Sequence, residues 1–393
     1  MAPIPRLRPY EGPALFSYGF RPFFLFGSLY AGLAILAWLP LFYGELQVST
    51  AFVPRDWHIH EMLYGYLSAV ITGFLLTAVP NWTGRMPLQG KPLIVLVLLW
   101  AAGRAAVTAS ASIGWQAAAI IDVSFLVVVA AAMAREIAKG RNWRNLKVLI
   151  ALGSLTVGNA VFHLEAHFHG VAEYGIRIGV AAVMMLLMVI GARIVPSFTR
   201  NWLSRVNPGR MPASFGTFEM VAMAGTGLAL FAWILLPEWQ GTGIALIAAG
   251  IAQAVVMARW AGDRTWRDRL VLILHVAYAF VPLGFLLTGL AALGLIPAGA
   301  GIHAWTGGAM GGMTLAVMTR ASLGHTGRAL VATRMTQGLY LLIIIAALSR
   351  VLAVLLPDWT TTLLHVAAVT WSGSFLGFAL TYWGVLTKPR VKA

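Results

Sequence analysis

The chain has 393 residues with 28 Lys+Arg against 13 Asp+Glu, a formal net charge of +15, yet only 10% of its residues are charged and 59% are hydrophobic. So little charge cannot cover a water-exposed surface, which excludes an ordinary soluble domain. With no Cys in the sequence, disulfides, iron–sulfur clusters, thiolate zinc sites and covalently attached c-type haem are excluded as well.

A membrane span needs about 20 mostly apolar residues. Runs of that kind fall at 22–43, 57–80, 92–111, 114–134, 146–165, 174–195, 215–236, 241–260, 269–293, 301–320, 335–356 and 362–386. The expectation is an all-α membrane protein of about twelve helices, forming a single polytopic transmembrane domain over 1–393. The first run is too long for a signal-peptide core. The second opens with His58, His60 and Glu61. The third carries Arg104 and the fourth Asp122. The fifth closes on His163, with His167 and His169 in the link after it. The sixth holds Met184, Met185 and Met188, and the ninth His275. The tenth opens with His303, carries Gly307-Gly308 and Gly311-Gly312, and is followed by His325. The eleventh carries Arg350, and the twelfth opens with His365.

Alternating sides from a cytoplasmic N-terminus places every Lys and Arg but four on the inner side; Arg55, Arg104, Arg177 and Arg350 remain. That asymmetry is the positive-inside signature, and it predicts both termini in the cytoplasm. It also removes nucleic acid as the reason for the excess charge. Spans two, six and ten end in the related strings Asn81-Trp82-Thr83-Gly84-Arg85, Phe198-Thr199-Arg200-Asn201-Trp202 and Met318-Thr319-Arg320, which suggests three four-helix units.

On this topology His58, His60, His163, His167, His169, His303 and His365 gather near the outer face; only His275 and His325 do not. Imidazole suits haem iron and copper, so the gathering reads as a metal site or as interfacial hydrogen bonding. His163 and His167 are four apart, on one helical face, and could share an ion. His58 and His60 stand about 200° apart around a helix, so either the helix begins after them or they face two environments. Arg55, Arg104, Arg177 and Arg350 are candidate partners for anionic haem propionates, with Asp122 an alternative partner for Arg104. Glu61 is a candidate proton carrier. The glycine face of the tenth span offers close helix packing or room for a flat macrocycle.

Long strings in the chain resemble the NnrS family: Gly19-Phe20-Arg21-Pro22-Phe23-Phe24, Trp57-His58-Ile59-His60-Glu61-Met62, the run from Gly73 to Gly84, and the run from Gly312 to Arg328. The resemblance implies a multi-pass protein of the bacterial inner membrane that contains haem and copper and acts in the response to nitric oxide. By that resemblance His58, His60, His163, His275, His303 and His325 are the motif histidines, while His167, His169 and His365 rest on topology alone. The resulting expectation is nitric oxide binding or detoxification at a His-ligated, non-covalent b-type haem with copper. Reduction of nitric oxide would draw on a quinol or another electron donor. The alternatives are a twelve-span secondary transporter, and a sensor or delivery protein that binds haem or copper without turnover.

Overall fold

The computed structural model describes residues 10–83, 87–141 and 143–391, without the side chains of residues 81–83 and 144. Arg6, Arg8, Arg85 and Lys392, four of the cations assigned to the inner side, lie outside the described residues, as does the end of the Asn81–Arg85 string.

All regular structure among the described residues is helical, as a chain in hydrocarbon requires: only a helix or a closed barrel satisfies every backbone donor there. Among the described residues, eleven helices are long and apolar enough to cross a membrane. They are α1 (Phe20–Phe42); the run Pro54–Pro80, in which α2 (Pro54–His60) passes through a π-helical segment (Glu61–Leu67) into α3 (Ser68–Thr83); α4 (Lys91–Thr108); and, after the short α5 (Ser110–Ile113), α6 (Trp115–Lys139), α7 (Leu146–His169) and α8 (Tyr174–Val206). Then come α9 (Thr217–Leu235), α10 (Gln240–Ala258), α11 (Arg269–Ala292), α14 (Arg334–Leu355) and α15 (Thr360–Thr387). The expected tenth span is also helical throughout, as α12 (Gly299–His303), a second π-helical segment (Ala304–Gly311) and α13 (Gly312–His325). Its glycines and His303 make it less apolar than the other eleven.

Two boundaries differ from expectation. The sixth helix does not stop near 195 but runs through Pro196 to Val206, because ending it within the apolar layer would orphan more backbone groups than one proline does. The fifth runs to His169 and takes the presumed link residues His167 and His169 into its last turn.

The contacts divide the chain into two compact units, Met1–Ala182 with Ala321–Arg328 and Phe375–Ala393, and Val183–Arg320 with Ala329–Ser374. The expected three four-helix units do not coincide with these two. In the first, α1 packs on α3, and α4, α6 and α7 form a layer. In the second, α11 is central, against α10, α12 and the second π-helical segment, with α14 beside them.

Ile120, Leu228 and Leu380 are 71%, 71% and 76% exposed, whereas charged and polar groups such as Glu61, Asp122 and Gln253 are buried. Lipid is as apolar as leucine, so helices associate through close backbone approach rather than hydrophobic burial. Gly243 on α10 and Gly289 on α11 show it: a Cβ on either would lie 2.9 or 2.8 Å from the other's carbonyl oxygen. The glycine face of the tenth helix is filled in the same way. Cβ atoms added at Gly308, Gly311 and Gly312 would strike Phe280, Trp371 and Ala277. The face is a packing surface and leaves no room there for a macrocycle.

Candidate metal centre

The first unit carries a buried polar cluster supplied by five helical elements. Asp122 projects from the middle of α6, Arg104 from α4, Asn159 and His163 from successive turns of α7, and Tyr30 from α1. His60 and Glu61 sit where α2 passes into the first π-helical segment. His60 and Glu61 are completely buried, and Asp122, Asn159 and His163 are nearly so.

Asp122 is the hub. Its Oδ2 accepts from Asn159 Nδ2 at 2.8 Å and His163 Nε2 at 3.1 Å, and lies 3.2 Å from His60 Nε2. Its Oδ1 is paired with Arg104 Nη2. Glu61 Oε1 accepts from Arg104 Nη1 at 2.6 Å and faces His60 Nδ1 at 2.9 Å, while Oε2 accepts from the Tyr30 hydroxyl. One guanidinium therefore spans two carboxylates, and one imidazole lies between the same two. Arg104 fits only because two glycines make room. A Cβ at Gly65 would lie 2.6 Å from its Nη1, and one at Gly103 would lie 3.0 Å from Asp122 Oδ1.

Donor accounting constrains the imidazoles. His60 Nδ1 faces a carboxylate, and its Nε2 faces both Asp122 Oδ2 and Asn159 Oδ1, the latter at 2.9 Å. Asn159 Nδ2 is engaged with Asp122, so its oxygen is the atom turned to His60. Both ring nitrogens of His60 thus meet acceptors, the arrangement of a doubly protonated ring. Arg104 and an imidazolium at His60 then balance Glu61 and Asp122, as a buried cluster must. A cation that replaces a ring proton keeps the same donor set. The rings of Phe52 and Phe162 wall the site, 5.2 and 5.0 Å from the His60 ring; His60 and His163 are 5.0 Å apart between ring centres.

The remaining expected residues lie elsewhere. His58 stacks on Trp38 at 4.2 Å, so His58 and His60 face two environments, the helix having begun before both. His167 stacks on Trp115 at 4.3 Å and is exposed; it does not share an ion with His163, because Asp122 holds the latter inward. His169 is exposed at the end of α7. Arg55 and Arg177 both pair with Glu173, at 3.1 and 3.3 Å, and Arg104 is held by Glu61 and Asp122, so protein carboxylates take three of the four cations expected at propionates. In the second unit, His275 Nε2 meets Thr199 Oγ1 at 2.8 Å and His365 Nδ1 meets Thr361 O at 2.8 Å. A Cβ on Gly299 would touch Val354, and one on Gly307 would touch Ala347, so the helix that carries His303 packs along α14, which carries Arg350. His325, back in the first unit, rests against Tyr18 and Phe20. The nine histidines do not form one site; among the described residues two of them, with one carboxylate, do.

For a transition metal the donor set fits. His60, Asp122 and His163 each offer a ligand atom, all within 4.8 Å of one another, and two imidazoles with a carboxylate suit copper, zinc or non-haem iron. Arg104 and Asn159 supply the outer hydrogen bonds that orient such ligands. For haem the groove beside the cluster does not fit. His163 borders a groove of about 470 Å³ between α6 and α7, lined mainly by apolar side chains including Trp115, Ile120 and Val127. No cation lines it, and His163 Nε2 is turned away to Asp122. Asn159 and Tyr30 had not been singled out from the sequence. Asn159 carried a usable signal, standing four residues before His163 on one helical face.

The model of one protein family, described as NnrS protein, matches residues 14–390. No curated protein matches the sequence.

Proposed function

The chain belongs to the NnrS family, membrane proteins of the nitric oxide response, and on that premise we propose that it holds copper between His60, Asp122 and His163 and binds nitric oxide there. The observation that carries the reading is the meeting of two imidazoles and a carboxylate in a fully buried site walled by Phe52 and Phe162. Copper, when bound, supplies a coordination position for nitric oxide and a one-electron couple. Haem, the family's other associated cofactor, does not fit the groove beside His163, and no step is assigned to it.

The chain's own groups do the rest. Arg104 neutralises the two carboxylates and fixes Asp122 as a ligand rather than a mobile base. Asn159 orients the same carboxylate through Nδ2. Glu61, hydrogen-bonded to both His60 and Tyr30, is the proton-carrying group: Oε2 faces the Tyr30 hydroxyl, and Oε1 accepts the Nδ1–H of His60. Reduction of two nitric oxide molecules to nitrous oxide and water takes two protons and two electrons, the electrons from a quinol or another donor. The asymmetry of Lys and Arg along the chain supports a site on the outer side of a bacterial inner membrane, with both termini in the cytoplasm.

The test is copper content and nitric oxide binding of the purified protein in lipid nanodiscs, by elemental analysis and electron paramagnetic resonance. His60→Ala, His163→Ala and Asp122→Ala should each lose most of the copper. Full copper in all three overturns the site. Copper retained by the wild type without any spectral response to nitric oxide makes this a metal-delivery protein instead.

A further inference from the structure

Far along the chain from the metal ligands, the first unit gathers cations without an acid to balance them. Arg21, in the first turn of α1, donates from Nη1 to the carbonyls of Leu386 and Lys388 at 2.8 Å each. This anchors a buried guanidinium at the C-terminal end of α15, where the helix dipole favours a cation. Its Cζ lies 5.7 Å from the Phe20 ring, and the His325 ring lies 5.6 Å from the same ring. Arg328 follows in the turn after α13, close enough to Arg21 for the two charges to repel. Its Nη1 is buried with no hydrogen-bond partner. The chain end completes the group: Val391 N donates to Thr326 O at 3.0 Å, and Arg390 Nε lies 3.5 Å from where a Cβ on Gly327 would sit. Gly327 has φ +74°, so a side chain there would be strained as well as crowded. Arg390 in turn repels a charged His325.

No ion pair among the described residues engages Arg21, Arg328 or Arg390. Three guanidiniums brought together without a carboxylate raise the free energy of the fold unless an anion joins them. A guanidinium fork matches two oxygens of a phosphate, and an unused buried Nη1 is the donor such an oxygen would take. The first turn of α1 and the last of α15 are ends of membrane-crossing helices, the depth at which lipid phosphates lie.

We propose that Arg21, Arg328 and Arg390 form a binding site for a phosphate group, the headgroup phosphate of an anionic lipid in first place. The proposal is independent of the copper reading, since none of these residues touches the His60 cluster.

The test is native mass spectrometry of protein extracted from membranes of phosphatidylcholine with phosphatidylglycerol or cardiolipin. Wild type should retain anionic lipid, and R328Q/R390Q should retain on the order of tenfold less. R135Q/K139Q, which removes two cations at the far end of α6, should retain as much as wild type. If wild type instead shows no lipid preference but is stabilised by inorganic phosphate in detergent, and R328Q/R390Q is not, the site serves a free phosphate. Equal lipid retention and equal phosphate response in wild type and R328Q/R390Q overturn the proposal. So does an equal loss in R135Q/K139Q, which would mark unspecific charge attraction. A helical circular dichroism spectrum and a monodisperse elution profile equal to those of wild type show that R328Q/R390Q is folded.

Discussion

Gly65 and Arg104 compete for one volume: a Cβ on Gly65 would lie 2.6 Å from Arg104 Nη1. Trp100, one turn earlier on α4, donates its indole N–H to Gly65 O at 2.9 Å. The bare backbone of the first π-helical segment is thus the surface against which α4 lays its buried charge, Arg104. Segments of this kind carry one residue more per turn than an α-helix and recur at functional sites. Gly65→Ala must push the guanidinium off Glu61 or open the α4 contact. The expected cost is about 1–3 kcal/mol, read as a lower thermal unfolding temperature in detergent together with reduced copper content. An unchanged unfolding temperature and full copper would show that Arg104 has room to move.

Removing the guanidinium alone should hurt more than removing it together with one of its two carboxylates. Arg104→Met leaves Glu61 and Asp122 buried with one imidazolium between them, and breaking such a network by one partner costs about 3–5 kcal/mol. Arg104→Met combined with Glu61→Gln retains Asp122 opposite His60 and should recover part of the loss. Thermal unfolding of the two variants side by side decides it; a double variant no more stable than Arg104→Met would remove charge balance as the explanation.

Ligand substitutions should separate the histidines sharply. His60→Ala and His163→Ala should lose most bound copper, whereas His167→Ala, His169→Ala and His365→Ala should keep it, because those three lie on exposed surfaces away from Asp122. Metal analysis after identical loading makes the comparison, and equal loss in both groups would contradict the assignment.

Copper loading should also release protons. Each ring nitrogen of His60 faces an acceptor and carries a proton in the metal-free state, and a metal must displace one. Calorimetric titration in two buffers of different ionisation enthalpy should report about one proton released per copper. No release would mean that the imidazoles are already neutral on their ligand side.

The spans were legible because lipid demands long apolar helices, and the pairing of Arg104 with Asp122 because an isolated intramembrane charge needs a partner at its own depth. The gathering of histidines was not. Loop charge assigns residues to a side and a depth, but says nothing of the direction in which each side chain points around its helix. His58 and His60 share a depth and face apart; His163 and His167 share a helical face, yet Asp122 captures only the first. The carboxylate partners of two of the outer arginines were hidden for a similar reason. Glu173, an exposed acid in a loop with no pattern of its own, takes both Arg55 and Arg177. The two π-helical segments, each directly after a motif histidine, left no trace in hydrophobic periodicity that distinguishes them from an ordinary turn.

His163 borders the groove between α6 and α7, and Ile120, Val127 and Leu164 on that groove are exposed apolar side chains of membrane-crossing helices. One imidazole therefore stands between the buried charges and the hydrocarbon. A diatomic gas dissolves better in oil than in water, and along this path its supply to the centre is governed by that solubility. Hydrated ions and charged reductants are disfavoured along this apolar groove. Changing the acyl chains of the surrounding bilayer should alter the rate at which gas arrives without altering how tightly it is held.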